Sequence, residues 1–418
     1  MILEKIFGFS MITAYSTPTS MEPLLPVAGR EMLARLTCDI LAASGRLTGQ
    51  VHAPEVLRRV AGLVREMNCY YSNLIEGHKT TPRDIERALR QDFSADETQR
   101  NHQQLGLAHI AVEKLMVERL SAETVDVYGS EFLCWLHREF YQRLPEPLHW
   151  AKTSSGKAYR VEPGRLRHFM VDVGRHTPPQ FDALPRFLGR FHQFYTSKEI
   201  IETDRLTAIA AAHHRLAWIH PFGDGNGRVI RLHSQALMIH HGVDGNGLWT
   251  LSRGLARQRQ RYYEELQAAD LGRRNDLDGR GNLSDAGLAS FCRFFLKTIL
   301  DQIRFMSDLL GLPALRTRVE RYFQFETLHL TRYREELMRV VRTLIDEGEI
   351  PRSRVQEITG KGATVSAEII KLGLREGLIE SPSPKGPLQP GFPEKILEFY
   401  FPQLFVDLPT DLSDRVGR

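Results

Sequence analysis

Nine consecutive residues, His220-Pro221-Phe222-Gly223-Asp224-Gly225-Asn226-Gly227-Arg228, with Arg231 one helical turn further on, constrain the fold of this chain more than any other stretch. Residues 203–218 place Leu206, Ile209, Ala210, His213 and Ala217 at helical spacing, with Thr203 or Asp204 as N-cap. That helix has to stop before Pro221, because proline drives its predecessor out of the helical region. From Gly227 the period resumes through Val229, Ile230, Leu232, Ala236 and Leu237. The pattern predicts helix, glycine loop, helix. Gly223, Gly225 and Gly227 let the loop backbone take positive φ and approach an anion closely. The loop empties into a helix N-terminus, where unpaired N–H groups and the helix dipole favour negative charge.

The side chains of the run fit polyphosphate chemistry. A phosphate-handling site usually brings Mg²⁺, and a hard cation takes carboxylate oxygen, which makes Asp224 the metal-ligand candidate. Arg228 and Arg231 are three residues apart, share a helix face and can grip one anionic chain. His220, as a neutral imidazole, can accept a proton from an incoming hydroxyl. The later Asp244-Gly245-Asn246-Gly247 lacks both a preceding histidine and a following arginine pair, and turn chemistry accounts for it. The doublets His213-His214 and His240-His241 do not follow zinc spacing and read as helix residues.

Position for position, the run resembles the signature of the Fic-domain (Fido) family, His-x-Phe-x-Asp/Glu-Gly-Asn-Gly-Arg with a second arginine three residues on. The resemblance implies a mainly α fold: a helical core with a small β-hairpin flap. It implies transfer of AMP from ATP to a Ser, Thr or Tyr hydroxyl of a protein, with release of pyrophosphate. It assigns His220 as base, Asp224 as Mg²⁺ ligand, Gly225, Asn226 and Gly227 as phosphate cradle, and Arg228 and Arg231 as clamps on the outer phosphates. The stretch opening Val173-Gly174-Arg175-His176 resembles the family segment that passes beside the nucleotide. Residues 251–271 resemble the family helix with paired tyrosines, with Tyr262 and Asp270 at nucleotide-side positions. Many relatives carry Asn where Asp270 stands.

A second motif lies upstream. Leu63, Met67, Tyr70, Tyr71 and Leu74 are apolar at helical spacing, and Gly77 supplies a left-handed cap. Glu76 sits in the last turn, where a carboxylate opposes the helix dipole. Such a local cost points to a partner elsewhere. Ser72, Glu76 and Gly77 resemble the family's inhibitory motif, Ser/Thr-x-x-x-Glu-Gly/Asn, in which the glutamate pairs with the second motif arginine and fills the space of the ATP γ-phosphate. That resemblance implies a brake formed by Glu76 on Arg231. Downstream, Thr80-Thr81-Pro82-Arg83-Asp84 reads as the N-cap and first turn of the next helix, with Pro82 at its start.

The helical pattern breaks after residue 154. Residues 158–161 and 169–173 read as two strands around Pro163-Gly164, a flap able to hold a target peptide by strand addition. Beyond Pro313, which reads as a linker, helices are expected through Leu337 to Ile345, over 353–358 and over 364–376, with a short hairpin after Gly377. This order resembles a winged helix-turn-helix, yet residues 351–380 hold a near balance of basic and acidic side chains, not the basic footprint of a DNA reader. The expected organisation is an inhibitory helical region over 1–125, a catalytic core over 126–300, a linker helix over 301–331 and a winged-helix-like region over 332–418.

With 55 basic and 51 acidic side chains the net charge of +4 is too mild to imply nucleic acid by electrostatics. Cys38, Cys69, Cys134 and Cys292 are scattered, which fits reduced thiols in a cytoplasm. Glu4 and Lys5 interrupt the short apolar stretch at residues 1–16, and neither a secretory leader nor a membrane span is expected. The expected reactants are ATP with Mg²⁺ and a hydroxyl-bearing protein, the chain itself included. DNA contact through the C-terminal region, homodimer formation, removal of AMP by the same site, and a DNA-binding regulator with a nucleotide-sensing pocket stay open as alternatives.

Overall fold

The structure, a computed structural model, describes residues 15–51, 53–78, 80–152 and 156–405. The expectations for residues 1–14 and for the opening of the flap at 154 lie outside the described residues. The chain is mainly helical, with two short antiparallel ladders. Among the described residues no helix is long and apolar enough to cross a membrane.

Two compact units form, each from three separate stretches of chain. The first takes described residues 15–37, 111–237 and 259–296. Its centre is apolar: Leu136, Phe140, Phe187, Phe191, Ile209, Leu216, Phe222, Val229, Leu232, Phe291 and Phe295 are all buried. Helices Ser130–Tyr141, Leu184–Tyr195 and Arg205–Ile219 supply most of these side chains at three- and four-residue spacing. The second unit takes 38–110, 238–258 and described residues 297–405. Its helix Pro54–Ile75 packs along helix Leu251–Arg257, and Thr250 Oγ1 donates to Asn68 Oδ1 at 2.5 Å. The buried Arg253 donates to Gln302 Oε1 and to the Gln403 carbonyl while stacking on Phe305, which ties residue 403 to this helix pair.

The elements follow the periodicity with informative exceptions. The loop after Gly77 leads into helix Pro82–Leu89 through a capping box, in which Thr81 Oγ1 accepts from Asp84 N while Asp84 Oδ2 accepts from Thr81 N. Helices Arg334–Glu347, Arg354–Thr359 and Ala363–Arg375 precede the ladder of Ile379–Glu380 with Gln389–Pro390, in the expected order. Pro313 lies in the first turn of helix Leu312–Phe325, where its missing N–H is harmless. The continuous helix expected over 251–271 is two helices, Leu251–Arg257 and Arg259–Asp270, broken at Gln258 (φ −119°, ψ 34°).

The flap differs most. Strand β1, Trp150–Lys152, pairs antiparallel with β2, Ala158–Arg160, in the register Trp150 to Arg160. Residues 169–173 form no strand. Gly164 turns the chain at φ +76°, and the buried Arg167 then spends its guanidinium on three backbone carbonyls, among them that of Phe169, which a strand would use for its own ladder. Phe169 packs flat on Tyr159, with centroids 4.1 Å apart, so β2 still rests on the segment expected to be its partner.

Candidate active site

Helix Arg205–Ile219 ends as the proline rule requires. His220 N donates to the Leu216 carbonyl at 3.0 Å, and His220 takes left-handed backbone angles (φ 49°, ψ 63°). A non-glycine residue in that region is strained and points to a functional constraint. Across the loop, Phe222 N donates to Asn226 Oδ1 and Asn226 Nδ2 donates to the Phe222 carbonyl, both at 2.9 Å. Both halves of the Asn226 amide are thus engaged in closing the loop that leads into helix Asn226–His240.

Two side chains absent from the motif shape this loop. His137 stacks on Phe222 with centroids 4.0 Å apart, its Nδ1 accepts from Gly164 N at 2.9 Å, and its Nε2 donates to the Asp224 carbonyl. Both ring nitrogens are used by the neutral tautomer, and burial pushes the imidazole down to about 3. Tyr141 donates to Asp224 Oδ2 at 2.8 Å. Gly225 (φ +76°) lies against the same ring: a Cβ there would stand 2.7 Å from Tyr141 Cε2, so glycine is required for close approach as well as for φ.

The charges are arranged asymmetrically. Burial pushes the Asp224 carboxyl up, but the Arg228 guanidinium, the Tyr141 hydroxyl and the Gly225 backbone outweigh it and hold the group below the usual carboxylate range. Its side chain remains about half exposed (51%). An ionised, accessible carboxylate fits a hard cation that takes its other oxygens from phosphate and water. Among the described residues no cluster of three or more His, Cys, Asp or Glu side chains is placed to hold a metal ion. Arg228 is buried, stacks on Phe140 at 5.1 Å and reaches Asp224 only at 4.0 Å. Its Nε and Nη1 have no hydrogen-bond partner. An unsatisfied buried donor costs about 1 to 3 kcal/mol, more when charged. Arg231 is buried on the same helix.

A cavity of about 440 Å³ in the same unit is lined by Tyr15, Arg175, His176, Thr177, Gln267 and Asp270, among others. That is within the range of small-molecule pockets. Val173 and His176 exchange backbone hydrogen bonds across a turn with Gly174 at φ +60°, which leaves Arg175 exposed and points His176 inward. His176 Nε2 donates to the Trp218 carbonyl at 2.7 Å, two residues before the base candidate. Burial raises the Asp270 carboxyl, but His214 outweighs this through a 3.1 Å contact and holds it low. The Tyr262 hydroxyl is engaged inside the unit: Ser234 Oγ donates to the Ile230 carbonyl and so accepts from His213 Nδ1, leaving His213 Nε2 to accept from Tyr262 at 2.8 Å. Ser72, Glu76 and Gly77 belong to the second unit, where they end helix Pro54–Ile75. Gly77 N donates to Leu74 O and His78 N to Asn73 O, with Gly77 at φ +84°, which is a Schellman cap; Ser72 is buried.

The sequence pattern of the Fic/DOC family matches residues 128–238, the span that contains the loop, the helix before it, most of the helix after it, the flap and the Val173–His176 turn. These residues are a Fic domain. The chain is 33% identical over 117 residues to the Protein adenylyltransferase Fic of Nematostella vectensis, covering 28% of this chain and 26% of that protein. It is likewise 33% identical over 117 residues to the Protein adenylyltransferase fic-1 of Caenorhabditis elegans, covering 28% and 22%. The chain thus matches about a quarter of these curated relatives' length. The fold as a whole resembles that of a Fic family protein from Desulfovibrio desulfuricans G20, with a TM-score of 0.53 at 16% identity over 89% of this chain and 99% of that one.

Sequence reading missed His137, Tyr141 and Arg167 around the Fic motif. They stand 53 or more residues before His220, and no spacing rule connects a tyrosine on one helix to an aspartate on a distant loop. The Fic domain also buries neutral histidines. His233 Nε2 donates to the Val127 carbonyl at 2.8 Å, its Nδ1 has no partner, and burial pushes the ring down to about 4. Protonation would add a buried donor with nowhere to go. Relative to an unfolded imidazole near 6.5, this stability is fully present above about pH 6.5 and is lost as pH falls towards 4, by about 3 kcal/mol for this one residue. The expected result is that denaturant stability of His233→Gln falls less steeply than wild type between those pH values. Parallel curves would show that His233 carries no such linkage.

Proposed function

We propose that this chain is a self-inhibited protein adenylyltransferase that moves AMP from ATP to a protein hydroxyl. The observation that carries the reading is Arg228: a buried guanidinium with two unpartnered nitrogens beside a helix N-terminus and an ionised aspartate. A fold keeps such a cation when an anion is to share the site, and a triphosphate supplies one. The curated relatives that match the domain are protein adenylyltransferases, which supports the same reading.

In this reading the triphosphate lies across the N-terminus of helix Asn226–His240 with its outer phosphates on Arg228 and Arg231. Asp224 would hold Mg²⁺, which when bound neutralises charge on the phosphates. His220 takes the proton of the attacking hydroxyl; the new bond joins that oxygen to the α-phosphorus, the bond from the α-phosphorus to the bridging oxygen breaks, and pyrophosphate leaves with the electron pair. Arg228 and Arg231 meet the charge that builds on the leaving group. His220 is suited to its part because burial, with Arg167, pushes its ring down to about 4, so it is unprotonated at neutral pH. Incubation with ATP labelled at the α or, separately, the γ position tests this: label from the α position should stay on protein. Label retained only from the γ position would mean phosphate transfer and overturn the reading.

Glu76 is proposed as the brake, on the strength of its motif and of a last-turn carboxylate fixed by a Schellman cap. Coupling between sites is typically about 1 to 3 kcal/mol, so Glu76→Gly is expected to raise self-modification by about 5- to 150-fold. Equal labelling of wild type and Glu76→Gly would remove the brake and leave the transfer reaction standing.

A further inference from the structure

Outside the Fic motif, one buried cation touches the motif directly. Arg167 is 3% exposed. Its Nε donates to the His220 carbonyl at 2.9 Å, its Nη1 to the Phe169 carbonyl at 3.1 Å and its Nη2 to the Pro179 carbonyl at 2.5 Å, while its backbone N donates to the Pro221 carbonyl at 2.9 Å. Every one of these partners is uncharged. A guanidinium buried with no carboxylate is costly, and the usual solution is an acidic partner. Here it spans His220-Pro221, the flap-side segment at Phe169 and the segment entering helix Leu184–Tyr195. It therefore fixes from outside the loop the residue whose left-handed backbone is least stable by itself.

We propose that Arg167 is a positioning residue for His220, pinning the strained backbone of the motif histidine and keeping a fixed positive charge near its ring. The inference rests on His220 being the base. Two effects follow. The hydrogen bond to the His220 carbonyl holds the peptide that joins helix end to loop, so the imidazole keeps its direction; misplacement of a reacting group by about 1 Å costs about a hundredfold in rate. The charge opposes protonation of the ring. Burial does most to keep the His220 ring unprotonated and Arg167 comes next; His176 acts in the same direction, while the Ala217 backbone and Asp224 from its own loop favour the charged form. A lysine at 167 would retain the charge but not the three-way fork.

The test is imidazole NMR of ring-labelled protein between about pH 5 and 8, bracketing the ordinary value near 6.5, with His220→Asn assigning the resonance, alongside kcat and KM for ATP. In wild type the His220 resonance should not titrate in this window. In Arg167→Gln its titration should move up into the acid end of this window, still below the ordinary value because burial remains, with kcat down about 10- to 100-fold and KM within about threefold. In Arg167→Lys it should stay untitrated while kcat still falls about tenfold, a separation that mere loss of fold cannot produce. An untitrated His220 in Arg167→Gln, or unchanged kcat there, overturns the proposal. If Arg167→Gln does not fold, a His220 that titrates in wild type or in Arg167→Lys overturns it equally. The resonance is read without turnover, so absence of AMP transfer in every protein would count against the transferase reading and leave this result to stand or fall separately.

Discussion

His220→Ala is expected to lower AMP transfer by about 10²- to 10⁴-fold, or about 2.7 to 5.5 kcal/mol of barrier, with ATP affinity changed by less than about threefold. The split follows from geometry. His220 stands at a helix end, and its ring is neutral because burial and Arg167 push it down to about 4. Nothing in this arrangement makes it a phosphate ligand. In the proposed reading the anion is met by the N-terminus of helix Asn226–His240 and by the buried arginines on it. Removing the base should therefore act on kcat with KM nearly constant, the pattern of an interaction used only in the transition state. The same neutrality bears on pH. Wild-type turnover should show no decline near the ordinary histidine value of about 6.5, since the folded ring titrates below it. Turnover of His220→Ala within about tenfold of wild type would remove the residue from the role.

Arg228→Met is expected to separate stability from function. Wild-type Arg228 is a buried cation with two donors unpaired, stacked on Phe140 and 4.0 Å from Asp224. Replacing such a group by an apolar one of similar length is neutral or stabilising, here by about 1 to 2 kcal/mol once the lost stacking is set against the relieved donors. Transition-state stabilisation should fall in the other direction, by about 10²- to 10³-fold in kcat/KM, the scale for one preorganised donor aimed at developing charge. A fold that retains a destabilising cation is holding it for a ligand. Reduced stability of Arg228→Met by more than about 2 kcal/mol would mean that the guanidinium serves the fold itself, and its claim to phosphate would weaken.

The loop was legible because its constraints are local. Pro221 stops one helix, glycine permits the φ of +76° at Gly225, and the apolar period after Gly227 restarts the next helix. The cap at Gly77 and the helix start at Pro82 were legible for the same reason. The flap was read wrongly in its second strand because strand propensity at 169–173 is local, whereas the bonds that Arg167 makes to three carbonyls depend on chain 12 and 53 residues away as well as on its neighbour Phe169. Tyr141, His137 and the His213 to Tyr262 bond are long-range in the same way. Tyr262 shows the converse: a family motif marks the residue, while its hydroxyl is engaged by a buried histidine.

Calorimetric titration of the Glu76→Gly protein with ATP tests the central claim most directly, because it reads the anion site without requiring turnover or a target protein. The expected result is saturable heat that depends on Mg²⁺ and is lost in the Glu76→Gly, Arg228→Met double variant. Heat of the same size in the double variant, or in the presence of a chelator, would contradict a triphosphate held between Arg228 and a metal on Asp224.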